Sequence, residues 1–71
     1  MKKISLIIAG KHMTSITLEE EFASALKQIA LEKKQTINQI VTEIDATRGI
    51  QNLSSAVRIY ILRYFKGLKN G

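Results

Sequence analysis

The sequence predicts a mainly α-helical domain with a short N-terminal β-strand. Over residues 12–18 the side chains alternate between two faces, one of which carries Ile16 and Leu18, as in a strand with one buried side. Three later segments repeat apolar residues at intervals of three and four, the spacing of a helix face. A chain of 71 residues is long enough for one small core. We therefore expect a single domain over residues 1–71.

The composition excludes several classes of protein. Hydrophobic residues make up 45% of the chain and aromatic residues 6%, which suffices for a core but not for an aromatic platform that stacks unpaired bases. The absence of cysteine excludes disulfides, thiol catalysis and cysteine-rich zinc sites, and with His12 as the single histidine we expect no metal. The apolar run over residues 4–10 is too short for a membrane span or a typical signal peptide, so we expect a cytoplasmic protein.

Net charge favours an anionic partner. The chain carries +5 at pH 7, with +3 in residues 1–18, −3 in residues 19–32 and +4 in residues 50–71. Nucleic acid is the natural partner for such a basic chain. A merely solvated basic surface would give the same totals, so charge alone does not decide.

The first predicted element is the strand over residues 12–18. Thr14, Ile16 and Leu18 point to one side, and Met13, Ser15 and Thr17 point to the other. Upstream, residues 1–10 form either a loose arm or a second short strand, with a turn at Gly10-Lys11.

The next two elements are helices over residues 19–33 and 36–48. Helix A opens with three glutamates, which suit the positive end of a helix dipole. Thr17 and Glu20 have capping-box spacing, although Thr17 also fits the outward strand face. Helix B opens with a second capping box, Thr36 with Gln39, and we expect Gly49 to end it in the left-handed conformation.

Helix C is predicted over residues 53–67, with Asn52 or Ser54 as its N-cap. It has a wide apolar face, and its basic residues lie mostly off that face. We also expect Asp45 to pair with Arg58 between helices B and C. Ser54 and Ser55 lack a nearby histidine base and are poor nucleophiles, so we expect no enzyme activity.

The strand over residues 12–18 needs a partner because its backbone polar groups must be paired. If the partner is the same strand of a second chain, the two form an antiparallel ribbon about a two-fold axis. The face with Met13, Ser15 and Thr17 would then stand outward. A two-stranded ribbon fits the DNA major groove.

Three motifs accompany this order of elements. They are His12 with Thr14-Ser15-Ile16-Thr17-Leu18-Glu19, Ile44-Asp45-Ala46 with Arg48-Gly49, and Asn52-Leu53-Ser54-Ser55-Ala56 with Arg58. Together they resemble the ribbon-helix-helix family of dimeric DNA-binding proteins, and more closely a bacterial subgroup with an added third helix. The resemblance runs from about Ser5 to Phe65. The sequence departs from the subgroup at Met13, where arginine is usual, and carries an extra residue near Lys11.

The resemblance implies an intertwined homodimer with an intersubunit β-ribbon, which binds double-stranded DNA and represses transcription without a cofactor. It implies base contacts from Met13, Ser15 and Thr17. The helix B N-terminus would bind a phosphate, as free helical amides favour anions. The expected phosphate-binding residues are Lys11, Lys33, Lys34, Thr36, Ile37 and Asn38.

A second hypothesis is a protein-interaction or assembly module, or an antitoxin, that docks a partner protein through helix C. In that case the basic charge serves only solubility. Salt separates the two hypotheses, because DNA binding releases counterions and weakens steeply with salt, whereas an apolar docking surface hardly responds.

Overall fold

A β-hairpin packed on three helices forms the fold in the computed structural model of the chain. The structure describes the backbone of residues 1–8 and 12–70 and the side chains of residues 1–8 and 12–67. In chain order the elements are β1 (Lys2–Ile8), β2 (His12–Leu18), α1 (Glu20–Lys33), α2 (Ile37–Thr47) and α3 (Leu53–Asn70).

The two strands pair antiparallel within the chain, with Lys2 opposite Leu18 and Ile8 opposite His12. Both strands have the same burial pattern, in which every second side chain faces the helices. This alternation buries Leu6 and Ile8 from β1 beside Ile16 and Leu18 from β2. The hairpin is therefore amphipathic, with one face in the core and the other in solvent.

The helices begin and end for identifiable reasons. Helix α1 has Glu19 as its N-cap without a side-chain cap bond. Of the two alternatives for Thr17, a cap of this helix or a position on the outward strand face, the structure has the second. Its C-cap, Lys34, is left-handed with φ 56° and ψ 41°. Helix α2 has both bonds of the predicted box between Thr36 and Gln39, at 3.0 and 2.8 Å. Gly49 follows it with φ +66°, as predicted.

Helix α3 is capped by Asn52, whose carbonyl and side-chain oxygens accept from the amides of Ala56 and Ser55. It runs to Asn70, three residues past the predicted end. Its apolar face turns towards the rest of the chain and buries Ala56, Val57 and Ile61. The wide apolar face that suggested a docking surface is thus largely part of the chain's own core.

The core lies between the inner face of the hairpin and the three helices. Its fully buried large side chains come from β2 and from every helix. Burying side chains of this size from water stabilises the fold by about 1.5 to 3 kcal/mol each before the entropy of folding is counted. They are Ile16, Leu18, Leu26, Ile29, Ile40, Val41 and Val57.

The partner of β2 in this structure is β1, and not a strand of a second chain as expected for an intersubunit ribbon. The three residues between the strands make local pairing entropically cheaper than association. The alternating apolar residues of β1 also cover the same core as those of β2. One chain therefore carries a complete two-stranded ribbon, and the dimer itself stays a prediction.

No helix in the described part of the chain is both long enough and apolar enough to cross a membrane.

Candidate nucleic-acid interface

The outward face of the hairpin is a set of six exposed side chains, three from each strand. They form cross-strand pairs: Lys3 with Thr17, Ser5 with Ser15, and Ile7 with Met13. The face contains a cation, three hydroxyls and two apolar side chains, and none of these six residues is acidic. Two-stranded ribbons of this width enter the DNA major groove. We call this set of six the ribbon face.

The structure places all three predicted base-facing residues on the ribbon face. Met13, Ser15 and Thr17 are exposed and lie on alternate positions of β2. The sequence analysis did not assign Lys3, Ser5 and Ile7 to this face, because it allowed residues 1–10 to be either a short strand or a loose arm. Their signal was the alternation of Ile4, Leu6 and Ile8, which leaves the odd positions of β1 outward.

The outer edge of β2 is held by α3. The amide of Thr17 donates to Ser54 Oγ at 3.3 Å, and its carbonyl accepts from Arg58 Nη2 at 3.2 Å. Arg58 Nε also donates to Glu19 Oε1 at 2.8 Å, and this bond lowers the pKa of the Glu19 carboxyl. The expected pair between Arg58 and Asp45 is therefore absent. Asp45 instead binds Arg48, its neighbour one turn on, at 2.7 Å.

The outer edge of β1 is held by α2. The amide of Ile7 donates to Asn38 Oδ1 at 3.4 Å, a long bond that nevertheless places the α2 N-terminus beside the ribbon. Amides that bond away from the partner strand identify the non-hydrogen-bonded pairs of an antiparallel ladder. Ile7 and Thr17 both do so, which fixes the three pairs of the ribbon face as the closely spaced ones. Their side chains thus lie near each other across the strands.

Two backbone amides at the α2 N-terminus are unpaired within the described part of the chain. The first four amides of a helix lack partners within it. The Thr36 hydroxyl accepts from Gln39, and the Thr36 carbonyl accepts from Ile40. The amides of Ile37 and Asn38 are left without a protein acceptor among the described residues. Two such amides at the positive end of a helix dipole suit an anion.

The two lysines before α2 differ in their surroundings. Lys34 is exposed at the α1–α2 turn. Lys33 Nζ instead donates to Tyr60 Oη on α3 at 3.0 Å and lies 5.6 Å from the centroid of that ring. The bond to Tyr60 raises the pKa of Lys33. Lys34 is accordingly the freer cation beside the α2 N-terminus, and Lys11, also expected to bind phosphate, lies outside the described residues.

A second polar contact joins α1 to α3 away from the ribbon. Tyr64 Oη donates to Glu32 Oε1 at 2.7 Å, and Gln28 donates to the other carboxylate oxygen at 3.0 Å. Both bonds lower the pKa of Glu32, and the bond from Tyr64 raises the pKa of that tyrosine. These groups stabilise the packing of α3 and lie outside the ribbon face.

The chain matches a known protein family. A family model described as a ribbon-helix-helix domain matches residues 1–65, which include both strands, α1, α2 and most of α3. No curated protein and no solved structure matches the chain.

Proposed function

The chain belongs to the ribbon-helix-helix family, and on that premise we propose that it is a homodimeric, sequence-specific double-stranded DNA-binding protein that represses transcription. Members of this family are generally DNA-binding regulators of transcription that form dimers, and the fold is not an enzyme fold. We propose that it acts in the cytoplasm or nucleoid of a bacterial cell.

The observation that carries the proposal is the ribbon face beside the α2 N-terminus. The ribbon face is exposed, has no acidic residue and presents side chains suited to base edges. The bond from the Ile7 amide to Asn38 keeps the amides of Ile37 and Asn38 next to the same ribbon. A duplex whose major groove receives the ribbon brings its phosphate backbone to the ribbon's flanks. The arrangement thus combines a reading surface with an anion site at its edge.

Each part has a separate task in this proposal. The amides of Ile37 and Asn38, with Lys34 nearby, bind a phosphate and fix the position of the ribbon in the groove. Met13, Ser15 and Thr17 then meet base edges. None of these three has the bidentate fork by which arginine selects guanine, so phosphate contacts supply most of the affinity. Lys33 contributes long-range charge while it remains bound to Tyr60.

In this proposal the protein represses transcription by occupying promoter DNA. A dimer carries two ribbons and reads two half-sites, which raises affinity and specificity together. Such a complex over a promoter excludes other proteins from the same groove. No ligand-driven step is needed for this activity.

The experiment is a fluorescence-anisotropy titration of the protein against a duplex from its own upstream region and an unrelated duplex, each at several salt concentrations. We expect tighter binding to the upstream duplex and a steep linear fall of log affinity with log salt on both. If the folded protein binds neither duplex at low salt, the proposal is wrong.

A further inference from the structure

One end of the ribbon face is apolar. Ile7 and Met13 are cross-strand partners at the turn end of the hairpin, with exposed fractions of 48% and 85%. The other large apolar side chains of β1 and β2 are turned inward, from Ile4 at the rim to Leu18 at the centre of the core. The Ile7–Met13 pair is thus apolar surface that the fold itself does not use.

We propose that the Ile7–Met13 pair reads thymine by contacting its C5-methyl group in the major groove. The proposal rests on the DNA-binding function above and names the base that the ribbon selects. The thymine methyl is the one apolar group on the floor of the major groove, and apolar side chains are its usual protein contact. A β-branched side chain and a flexible thioether side by side can enclose a methyl group of this size.

The neighbours of the pair favour DNA over a second protein. Next along the face come two hydroxyls, Ser5 and Ser15, and then Lys3 with Thr17. The matching surface must have an apolar group at one point and hydrogen-bonding groups and negative charge beside it. The DNA major groove has these features, because base edges form its floor and phosphates flank it. Two side chains also offer far less area than the roughly 800 Å² per partner that a stable protein interface buries.

The pair gives the ribbon a direction. In a ribbon of two identical strands about a two-fold axis, both ends carry the same side chains. Here one end is apolar and the other carries Lys3 and Thr17, because the strands belong to one chain and differ in sequence. We expect the base sequence read by one ribbon to be non-palindromic, with thymine at the end where Ile7 and Met13 lie.

The test replaces thymine by deoxyuridine, which lacks only the methyl group. Tight-binding duplexes are first selected from a randomised pool with the full-length protein. Each thymine of the selected site is then changed to deoxyuridine in turn, and affinity is measured by anisotropy for the wild type, Ile7→Ala and Met13→Ala. Leu31→Ala removes an exposed apolar side chain of α1 and serves as the matched control.

We expect one or two deoxyuridine positions to weaken wild-type binding about fourfold each, the value of one buried methyl group. Ile7→Ala or Met13→Ala should abolish the sensitivity at those positions, while Leu31→Ala should retain it. Specific binding with equal affinity for thymine and deoxyuridine at every position would overturn methyl reading alone. Absence of DNA binding would overturn the function as well. A change in dimer dissociation with unchanged base preference would identify the pair as a contact between copies and overturn the proposal.

Discussion

Arg58 on α3 binds Glu19 at the end of β2, with 2.8 Å between Nε and Oε1, although 39 residues separate them in sequence. The same guanidinium donates to the carbonyl of Thr17, the last outward residue of the ribbon face. The third helix therefore fixes the position of β2. A ribbon that enters the major groove requires such support, because a two-stranded hairpin alone is marginally stable in water.

We expect Arg58→Met to destabilise the protein more at pH 7 than at pH 3. The bond to Arg58 holds the pKa of Glu19 below its ordinary value of 4.5, so its stabilising effect is present above that pH and is lost as pH falls through the lowered value. The bond from Arg58 to the Thr17 carbonyl does not depend on the protonation of Glu19, so the variant loses its net value of about 1 kcal/mol at both pH values. Urea unfolding at both pH values measures this difference.

The control for this prediction is the second carboxylate with a lowered pKa. Glu32 is bonded to Tyr64 and Gln28, apart from Arg58, so its contribution to the pH dependence should persist in Arg58→Met and disappear in Glu32→Gln. An Arg58→Met effect of equal size at pH 7 and pH 3 would show that Glu19 does not contribute.

Two neighbouring residues of β1 test the intrachain hairpin. Leu6 is 4% exposed in the core, whereas Ile7 beside it is 48% exposed on the ribbon face. We expect Leu6→Ala to lower the free energy of unfolding by about 3 kcal/mol, and Ile7→Ala to lower it by less than about 1 kcal/mol. Chemical denaturation of both variants provides the comparison. Equal small effects would mean that β1 does not pack on the helices.

The strand β2, the three helices and the capping box of α2 could be predicted from sequence because each has a local signal. Thr36 and Gln39 lie three residues apart, and the apolar residues of each element recur at its own period. The partner of β2 could not be fixed in this way, since the pairing energy of a strand is the same whichever chain supplies the second strand. The hydrophobic pattern of β1 decides it only when the helices are in place.

Asn38→Asp should separate folding from binding. A negative charge at the α2 N-terminus interacts favourably with the helix dipole, by about 0.3 to 1 kcal/mol, and an aspartate oxygen can still accept from the Ile7 amide. The same charge repels a phosphate at the neighbouring amides. We expect unchanged or higher thermal stability and at least fivefold weaker DNA binding at low salt.

Ser24→Asp is the matched control, since it adds the same charge at an exposed position on α1. It should weaken DNA binding much less than Asn38→Asp. Equal weakening by both variants would indicate a general charge effect and contradict a phosphate site at α2.

Lys34→Gly, at the α1–α2 turn, should also separate the stability of the protein from its DNA binding. Lys34 is in the left-handed conformation, which costs a residue with a side chain roughly 1 kcal/mol relative to glycine. We expect stability to be kept or raised while affinity falls for all duplexes alike and the salt slope shrinks by about one. Thr17→Ala, by contrast, should change the preference among duplexes. A Lys34→Gly variant with an unchanged salt slope would place this lysine outside the DNA contact.

The long-range contacts of charged side chains were the least predictable from sequence. From the sequence, either Asp45 or Glu19 could be the partner of Arg58, and the packing of α3 against β2 brings Arg58 to Glu19. Likewise, Lys33 and Lys34 are equivalent in sequence, but Lys33 lies on the side of α1 that faces Tyr60. Such choices depend on tertiary geometry that no local spacing encodes.

The most direct test of the account is an NMR titration of the backbone amides with a specific duplex. We predict that the largest shift changes fall on the odd-numbered residues of β1 and β2 and on Ile37 and Asn38 at the α2 N-terminus. The amides of α3 beyond Arg58 should change little. Shifts concentrated on α3, with the ribbon face unaffected by bound DNA, would contradict the account.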